Sequence, residues 1–449
     1  MWKKSLRKKN RLSEVRILAL GFAVVILLGG VILSLPISSK SGRYTSLVDS
    51  IFTATSAVCV TGLVTLDTGT YWNTFGQCII MILIEIGGLG FMSVTTFIAM
   101  ILGRKITLRD RLIMQEAMNT FNIQGLVKML RYVLGLTFTV QIAGAFLLSF
   151  VFVPKFGIST GVFYSIFHSV SAFCNAGFDL FGSFSSLTSF SGNYLVIIVI
   201  SLLIIIGGIG FTVLIEILNY KKMKKLSVHS KIVICITASL IFGGAAFIFL
   251  VEYKNTATLG NLNLGEKILN SMFSSITPRT AGFNSISTGD MTMSGKLMTI
   301  ILMFIGGSPG STAGGLKTAT FGVLVLTVIS VLRGRNDTEA FGRRFSKETV
   351  YKAFTVFALG MAIVLVVTTI LSIAEPNQQF IDLLYEASSA FGTAGLTTGV
   401  TQEIGTLSKI VLMFTMYCGR VGPITVFLAL IKRNNKSGIK YPEGKILIG

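Results

Sequence analysis

SIFHSVSAFCNAGF, residues 165–178, is one of four stretches that end alike; the others are SIFTATSAVCVTGL at 50–63, NSMFSSITPRTAGF at 270–283 and LLYEASSAFGTAGL at 383–396. Each carries a glycine followed by Leu or Phe, at Gly62, Gly177, Gly282 and Gly395, spaced 115, 105 and 113 residues apart. Ten residues before each glycine stand Phe52, Phe167, Met272 and Tyr385, and six before stand Ser56, Ser171, Ile276 and Ser389. Downstream, GGLGF at 87–91, GGIGF at 207–211, GGSPG at 306–310 and GRVGP at 419–423 form a second matching set. Self-similarity at a regular period marks a repeated structural unit, and this unit reads as helix, half-helix, glycine turn, helix.

The 449 residues are 52% apolar and 13% charged, about half the ~25% charged fraction of soluble domains. Apolar runs of membrane-spanning length, which need ~20 residues, lie near 16–36, 75–102, 126–153, 194–219, 230–252, 296–332, 349–374 and 407–431. The first exceeds the ~7–15 residue apolar core of a signal peptide and reads as a retained helix. The half-helices, roughly 10–12 residues each, are too short to span and belong to the re-entrant class.

The expected fold is therefore an all-α polytopic membrane protein with eight transmembrane helices and four re-entrant pore half-helices. Each unit contains two spans, so the repeats run parallel and imply pseudo-fourfold symmetry about the membrane normal. The expected organisation is a basic N-terminus (1–15), repeats at 16–102, 126–219, 230–332 and 349–431, and a tail at 432–449.

A net charge of +20 raises the question of nucleic acid, but the positions of the charges answer it. Of 39 Lys and Arg, 29 fall in the N-terminus, Arg104–Arg131, Lys221–Lys231, Arg333–Lys352 and the tail, whereas the opposite connections carry seven. By the positive-inside rule both termini face the cytoplasm of a cell-membrane protein. The basic excess reads as topology with contact to anionic lipids, not as a nucleic-acid site. Arg279, Lys317 and Arg420 remain, in places where no cation is expected.

Non-helical backbone survives at membrane depth only when buried in protein or lining a water-filled cavity, so four such turns point to one shared pore. A ring of backbone carbonyls can replace the water shell of a monovalent cation. Glycine permits this by adopting φ > 0, which lets successive carbonyls face one axis. The ring would comprise Val60, Thr61 and Gly62; Asn175, Ala176 and Gly177; Thr280, Ala281 and Gly282; and Thr393, Ala394 and Gly395. Half-helix C-termini aimed at the cavity would favour a cation. No row of Asp or Glu marks a divalent site. The competing reading is that these glycines only serve tight turns and close helix packing.

The third unit departs from the others in GGSPGSTAGGLKT, 306–318, where glycines and a proline interrupt the apolar span. Gly306, Gly307, Ser308, Pro309, Gly310, Ser311, Thr312, Ala313, Gly314 and Gly315 are expected to form a gating loop below the ring, the alternative being a packing kink. Arg420 occupies the place of Gly88, Gly208 and Gly307, within an apolar helix where it costs ~2.5–3.5 kcal/mol. Its guanidinium would hold carbonyls of that loop, or pair with Glu85, or reach the surface. Lys317 either joins the gate or extends to the cytoplasmic face, and Arg279 would brace the third turn from behind.

These motifs resemble the Ktr/Trk/HKT superfamily of potassium transporters, most closely the membrane subunit of bacterial Ktr systems, the KtrB or KtrD type. The resemblance spans nearly the whole chain. It implies potassium as the transported ion, sodium as a further candidate, a homodimer with two pores, a gating loop beneath a four-glycine selectivity filter, and a cytosolic ring of nucleotide-binding subunits of the KtrA/KtrC type. The chain itself carries neither GxxxxGK[ST] nor a strand-to-helix GxGxxG, so no nucleotide site is expected on it.

A sodium- or proton-coupled symporter is the main rival, although no intramembrane carboxylate pair stands out. An enzyme would need polar groups gathered at one depth, and His168 and His229 have no nucleophile or metal constellation around them. The five cysteines lack CxxC spacing and read as free thiols.

Overall fold

The computed structural model describes residues 14–101, 107, 111–115 and 126–430. The N-terminal stretch 1–13, the basic residues Arg104, Lys105 and Arg109, and the tail 432–449 lie outside the described residues. The described residues are mostly helical. In order come α1 (Glu14–Ser34), α2 (Leu47–Val58), α3 (Thr74–Leu89), α4 (Phe91–Ile101), α5 (Leu126–Phe156), α6 (Ile158–Phe173), α7 (Tyr194–Gly208) and α8 (Phe211–Leu218). Then follow α9 (Val228–Glu252), α10 (Leu264–Ile276), α11 (Met293–Phe304), α12 (Thr318–Leu332), α13 (Lys347–Ala374), α14 (Phe380–Gly392), α15 (Thr406–Val421) and α16 (Pro423–Leu430). A two-residue hairpin, β1 (Glu339–Ala340) with β2 (Arg343–Arg344), interrupts the connection from α12 to α13.

The long helices α1, α5, α9 and α13 are long and apolar enough to cross a membrane, yet only 28–39% of their most apolar windows is buried in protein. Such faces suit hydrocarbon, since a helix satisfies its own backbone there. The short helices α2, α6, α10 and α14 are instead enclosed, with Phe52, Phe167, Phe273 and Tyr385 fully buried. Caps fix where the inner helices begin: Asn73, Asn193 and Thr292 accept from the backbone N–H three residues on, at 3.0–3.1 Å.

Two expectations need correction. First, the inner spans are interrupted in all four units and not in the third alone. α3, α7 and α15 end just before Gly90 (φ +82°), Gly210 (φ +97°) and Gly422 (φ +95°), and α7 meets α8 at 103°. Glycine reaches these dihedrals without the Cβ clash that stops other residues. In the third unit the break widens to residues 305–317. Second, the third unit is offset by one residue: Phe273, not Met272, fills the buried position of Phe52, Phe167 and Tyr385. α10 stops at Ile276 although Thr277 still has helical dihedrals, because Pro278 has no N–H to donate back to Ser274 O.

Close packing holds each short helix against an inner one. A Cβ on Gly87 would sit 2.1 Å from Val58 O, and one on Gly419 2.0 Å from Phe391 O. Only a residue without a side chain fits there.

Candidate functional site: a ring of four glycine turns

Each short helix ends by a local mechanism readable from its hydrogen bonds. Thr61, Ala176 and Ala394 donate their N–H to Ser56, Ser171 and Ser389 O, each at 2.8 Å, the six-to-one bond of a Schellman ending. Such an ending needs a left-handed residue, usually Gly or Asn. Here that place is taken by Val60 (φ 56°), Asn175 (φ 60°) and Thr393 (φ 50°), with Thr280 (φ 73°) in the third unit. Only Asn175 is suited to it; a β-branched residue there costs on the order of 1–3 kcal/mol. The sequence places these residues in the ring for their carbonyls but carries no sign of the strain in their backbone.

Two residues later come Gly62, Gly177, Gly282 and Gly395, at φ between 69° and 93°. Left-handed residues thus alternate with Thr61, Ala176, Ala281 and Ala394. The turns converge. A Cβ on Gly62 would meet Ala176 O at 2.5 Å, on Gly177 Ala281 O at 2.7 Å, on Gly282 Ala394 O at 2.8 Å, and on Gly395 Thr61 O at 2.0 Å. The order first, second, third, fourth, first closes a ring of the four glycines with Thr61, Ala176, Ala281 and Ala394.

On one side of the ring lies a cavity of about 40 Å³ lined by the four glycines together with Asp67 and Asp179. Sequence reading missed both carboxylates, although they stand only five and two residues beyond Gly62 and Gly177. Asp67 accepts from Thr70 N and Phe184 N, each at 2.7 Å. Asp179 lies in a loop outside the spanning helices; burial pushes its carboxyl up to about 7, the Phe181 N–H opposes this, and nearby Asp67 adds to it.

The segment 306–318 packs against the ring. Gly306 approaches Thr280 and Gly314 approaches Thr393. Its backbone is satisfied by neighbours: Ser308 N donates to Gly208 O at 2.9 Å, Gly315 N to Gly419 O at 3.2 Å, and Gly310 O accepts from Phe211 N at 2.9 Å. Non-helical chain at this depth requires such partners. Behind it a second cavity, of about 240 Å³, is lined by Gly310, Ser311, Ala313, Lys317 and Arg420 among others.

Arg420 donates through Nη1 to Thr312 O and through Nη2 to Gly87 O and, at 3.2 Å, Gly88 O. Glu85, the other partner considered, instead accepts from Gln141 Nε2 at 2.9 Å and Cys174 Sγ at 3.2 Å. Lys317 Nζ stays inside, donating to Ala313 O and, at 3.4 Å, to Gly314 O. Arg279 is buried behind the third turn and donates to Thr237 Oγ1 at 3.5 Å. All five cysteines are unpaired thiols.

Apolar helices of spanning length around a closed ring of backbone turns define a polytopic membrane protein. The TrkH family model, described as "Cation transport protein", matches residues 23–438. The chain is 44% identical over 448 residues to the "Potassium/sodium uptake protein NtpJ" of Enterococcus hirae, covering 99% of each chain. It is 40% identical to the "Ktr system potassium uptake protein B" of Bacillus subtilis, over 98% of this chain and 97% of that one. The solved potassium transporter TrkH from Vibrio parahaemolyticus superposes with a TM-score of 0.74 over 94% of this chain and 86% of that one, at 17% identity, and so shares the fold. The chain belongs to the TrkH/Ktr family of cation transport proteins, as a membrane subunit of the KtrB/KtrD type.

Proposed function

We propose that this chain is the pore subunit of a potassium uptake system, with eight spans and four re-entrant half-helices arranged as four parallel repeats. The observation that carries this reading is the closed ring of four turns, each with a left-handed residue and then a left-handed glycine. Carbonyls of Val60, Thr61, Gly62 and their counterparts replace the hydration shell of K⁺ in a selectivity filter. The passage continues from the Asp67 and Asp179 vestibule, through the ring, to the larger cavity beyond the 306–318 segment. That segment is the gate, held shut by Arg420 and Lys317, whose charges also oppose a cation.

Control of the gate is assigned to a cytosolic nucleotide-binding partner, and two copies of the chain form the membrane assembly. The Ktr system named in the Bacillus relative's description supports a multi-component arrangement. Sodium as a second, coupled ion is the competing reading, favoured by the name of the Enterococcus relative.

Cation uptake into proteoliposomes tests the proposal, comparing potassium with sodium for wild type and Gly395→Ser. The expected result is potassium-selective uptake that the substitution weakens, because a Cβ there would collide with Thr61 O. Uptake indifferent to Gly395→Ser would refute the filter, and potassium uptake that required a sodium gradient would establish coupling.

A further inference from the structure

Nine residues before Gly177 and Gly395 stand His168 and Glu386, both fully buried in their short helices. His168 Nδ1 lies 2.7 Å from Tyr164 O, which assigns the proton to that nitrogen and leaves Nε2 as an acceptor. Nε2 accepts the backbone N–H of Leu180 at 3.3 Å. Across the ring, Glu386 Oε1 accepts the backbone N–H of Thr398 at 3.0 Å and the Thr397 hydroxyl, while Oε2 accepts from the Thr401 hydroxyl. Leu180 and Thr398 each lie three residues beyond their glycine. Two chemically unrelated side chains therefore grip the same backbone atom in the second and fourth turns, which face each other in the ring.

The other two turns are held differently. In the first, Thr53 takes the equivalent place and its hydroxyl donates only to Asp49 O within its own helix. The strand is fastened instead by Thr65, which donates to Asp49 Oδ1 at 3.0 Å. In the third, the strand is tied to the neighbouring loop, with Asn284 N donating to Ser186 Oγ at 3.1 Å and Asn284 O accepting from Leu187 N at 2.9 Å.

We propose that His168 and Glu386 are positioning residues for ion selection: from opposite sides they anchor the strands leaving Gly177 and Gly395 and so hold the span of the carbonyl ring. This rests on the pore reading above. The physical need is plain, because neither residue touches the passage, yet carbonyls that discriminate between cations of different radius must resist closing on the smaller one. The His168 ring is itself immobilised, stacked on Phe181 at 4.3 Å between centroids. An acceptor missing at His168 would leave the buried Leu180 N–H unpaired, and one missing at Glu386 would release the part-buried Thr398 N–H together with the Thr397 and Thr401 hydroxyls.

The test is the potassium-to-sodium uptake ratio in proteoliposomes, for variants that elute as monodisperse protein. His168→Leu and Glu386→Leu are expected to lower the ratio by about tenfold while potassium still passes. His168→Gln and Glu386→Gln, which keep an acceptor of similar reach, should restore it, and Thr53→Val should leave it at the wild-type value. His168→Asn keeps a polar group but is too short for Leu180; it must behave as the Leu variant, and it decides the matter if the Leu variants do not fold. Unchanged ratios in His168→Asn and Glu386→Leu, or equal loss in the Gln variants, would overturn the assignment. A wild type without potassium preference would sink the pore reading itself, before any variant is compared.

Discussion

Arg420, on α15, donates a hydrogen bond to the carbonyl of Thr312, in the centre of the interrupted third inner span, and the same guanidinium reaches Gly87 and Gly88 on α3. Three parts of the molecule far apart in sequence are thereby joined by one side chain. Among the described residues no carboxylate bonds to it, and its charge is met by carbonyl dipoles alone. A guanidinium presents its five donors in a fixed fork, which a lysine cannot reproduce.

Removing this tie should loosen the segment. A hydrogen bond from a charged group contributes ~1.5–3 kcal/mol, so Arg420→Ala is expected to raise potassium uptake by roughly tenfold or more. Initial rates in proteoliposomes at equal protein density check this. An unchanged rate would remove Arg420 from the gate.

The vestibule carboxylate predicts a pH dependence. The Asp179 carboxyl sits at about 7 because of burial and the nearby Asp67 charge. With a folded value raised above that of an unfolded aspartate, the group is neutral below about pH 7 and charged above it. Lowering external pH from 8 to 6 therefore removes a negative charge at the mouth and should reduce potassium uptake. In Asp179→Asn the rate at pH 8 should fall to the wild-type value at pH 6, and its own profile should flatten. The same sign makes folding stability decline as pH rises from about 4 to 7.

Two ion pairs occupy matching places. Lys296 on α11 meets Asp382 on α14 at 2.8 Å, and Lys409 on α15 meets Asp49 on α2 at 2.7 Å. Both lysines precede the inner-helix glycine by ten residues, and both aspartates precede the turn glycine by 13. Each pair is largely buried, so losing one partner strands a charge. Thermal unfolding of Lys296→Met, Asp382→Leu and the double variant should give a coupling of about 1–3 kcal/mol, with the double variant more stable than the two losses summed.

Gly419→Ala tests the close packing of α15 on the fourth short helix. Its Cβ would stand 2.0 Å from Phe391 O, a backbone atom that cannot swing aside. A loss of at least about 1–3 kcal/mol is expected, visible as a lower melting temperature or poor yield in detergent. The same Cβ would stand 3.2 Å from Thr393 Cγ2, so any protein that does reconstitute should also show a lowered potassium-to-sodium ratio.

Much of this was legible in the linear chain. Glycines at 62, 177, 282 and 395 stand out because left-handed backbone excludes most side chains, so the requirement is written at the residue itself. Charge asymmetry and the lengths of the apolar runs are equally local. Tertiary structure decided what depends on partners distant in sequence. It set the buried Phe273 one residue out of register with Phe52, Phe167 and Tyr385, and it gave Arg420 carbonyls in place of Glu85. It also brought His168 to Leu180 and Glu386 to Thr398, so that an imidazole and a carboxylate serve one geometry. No periodicity reveals that equivalence, because a hydrogen-bond acceptor is defined by where its lone pair ends up in the packed molecule, and residues of different chemistry can deliver it to the same point.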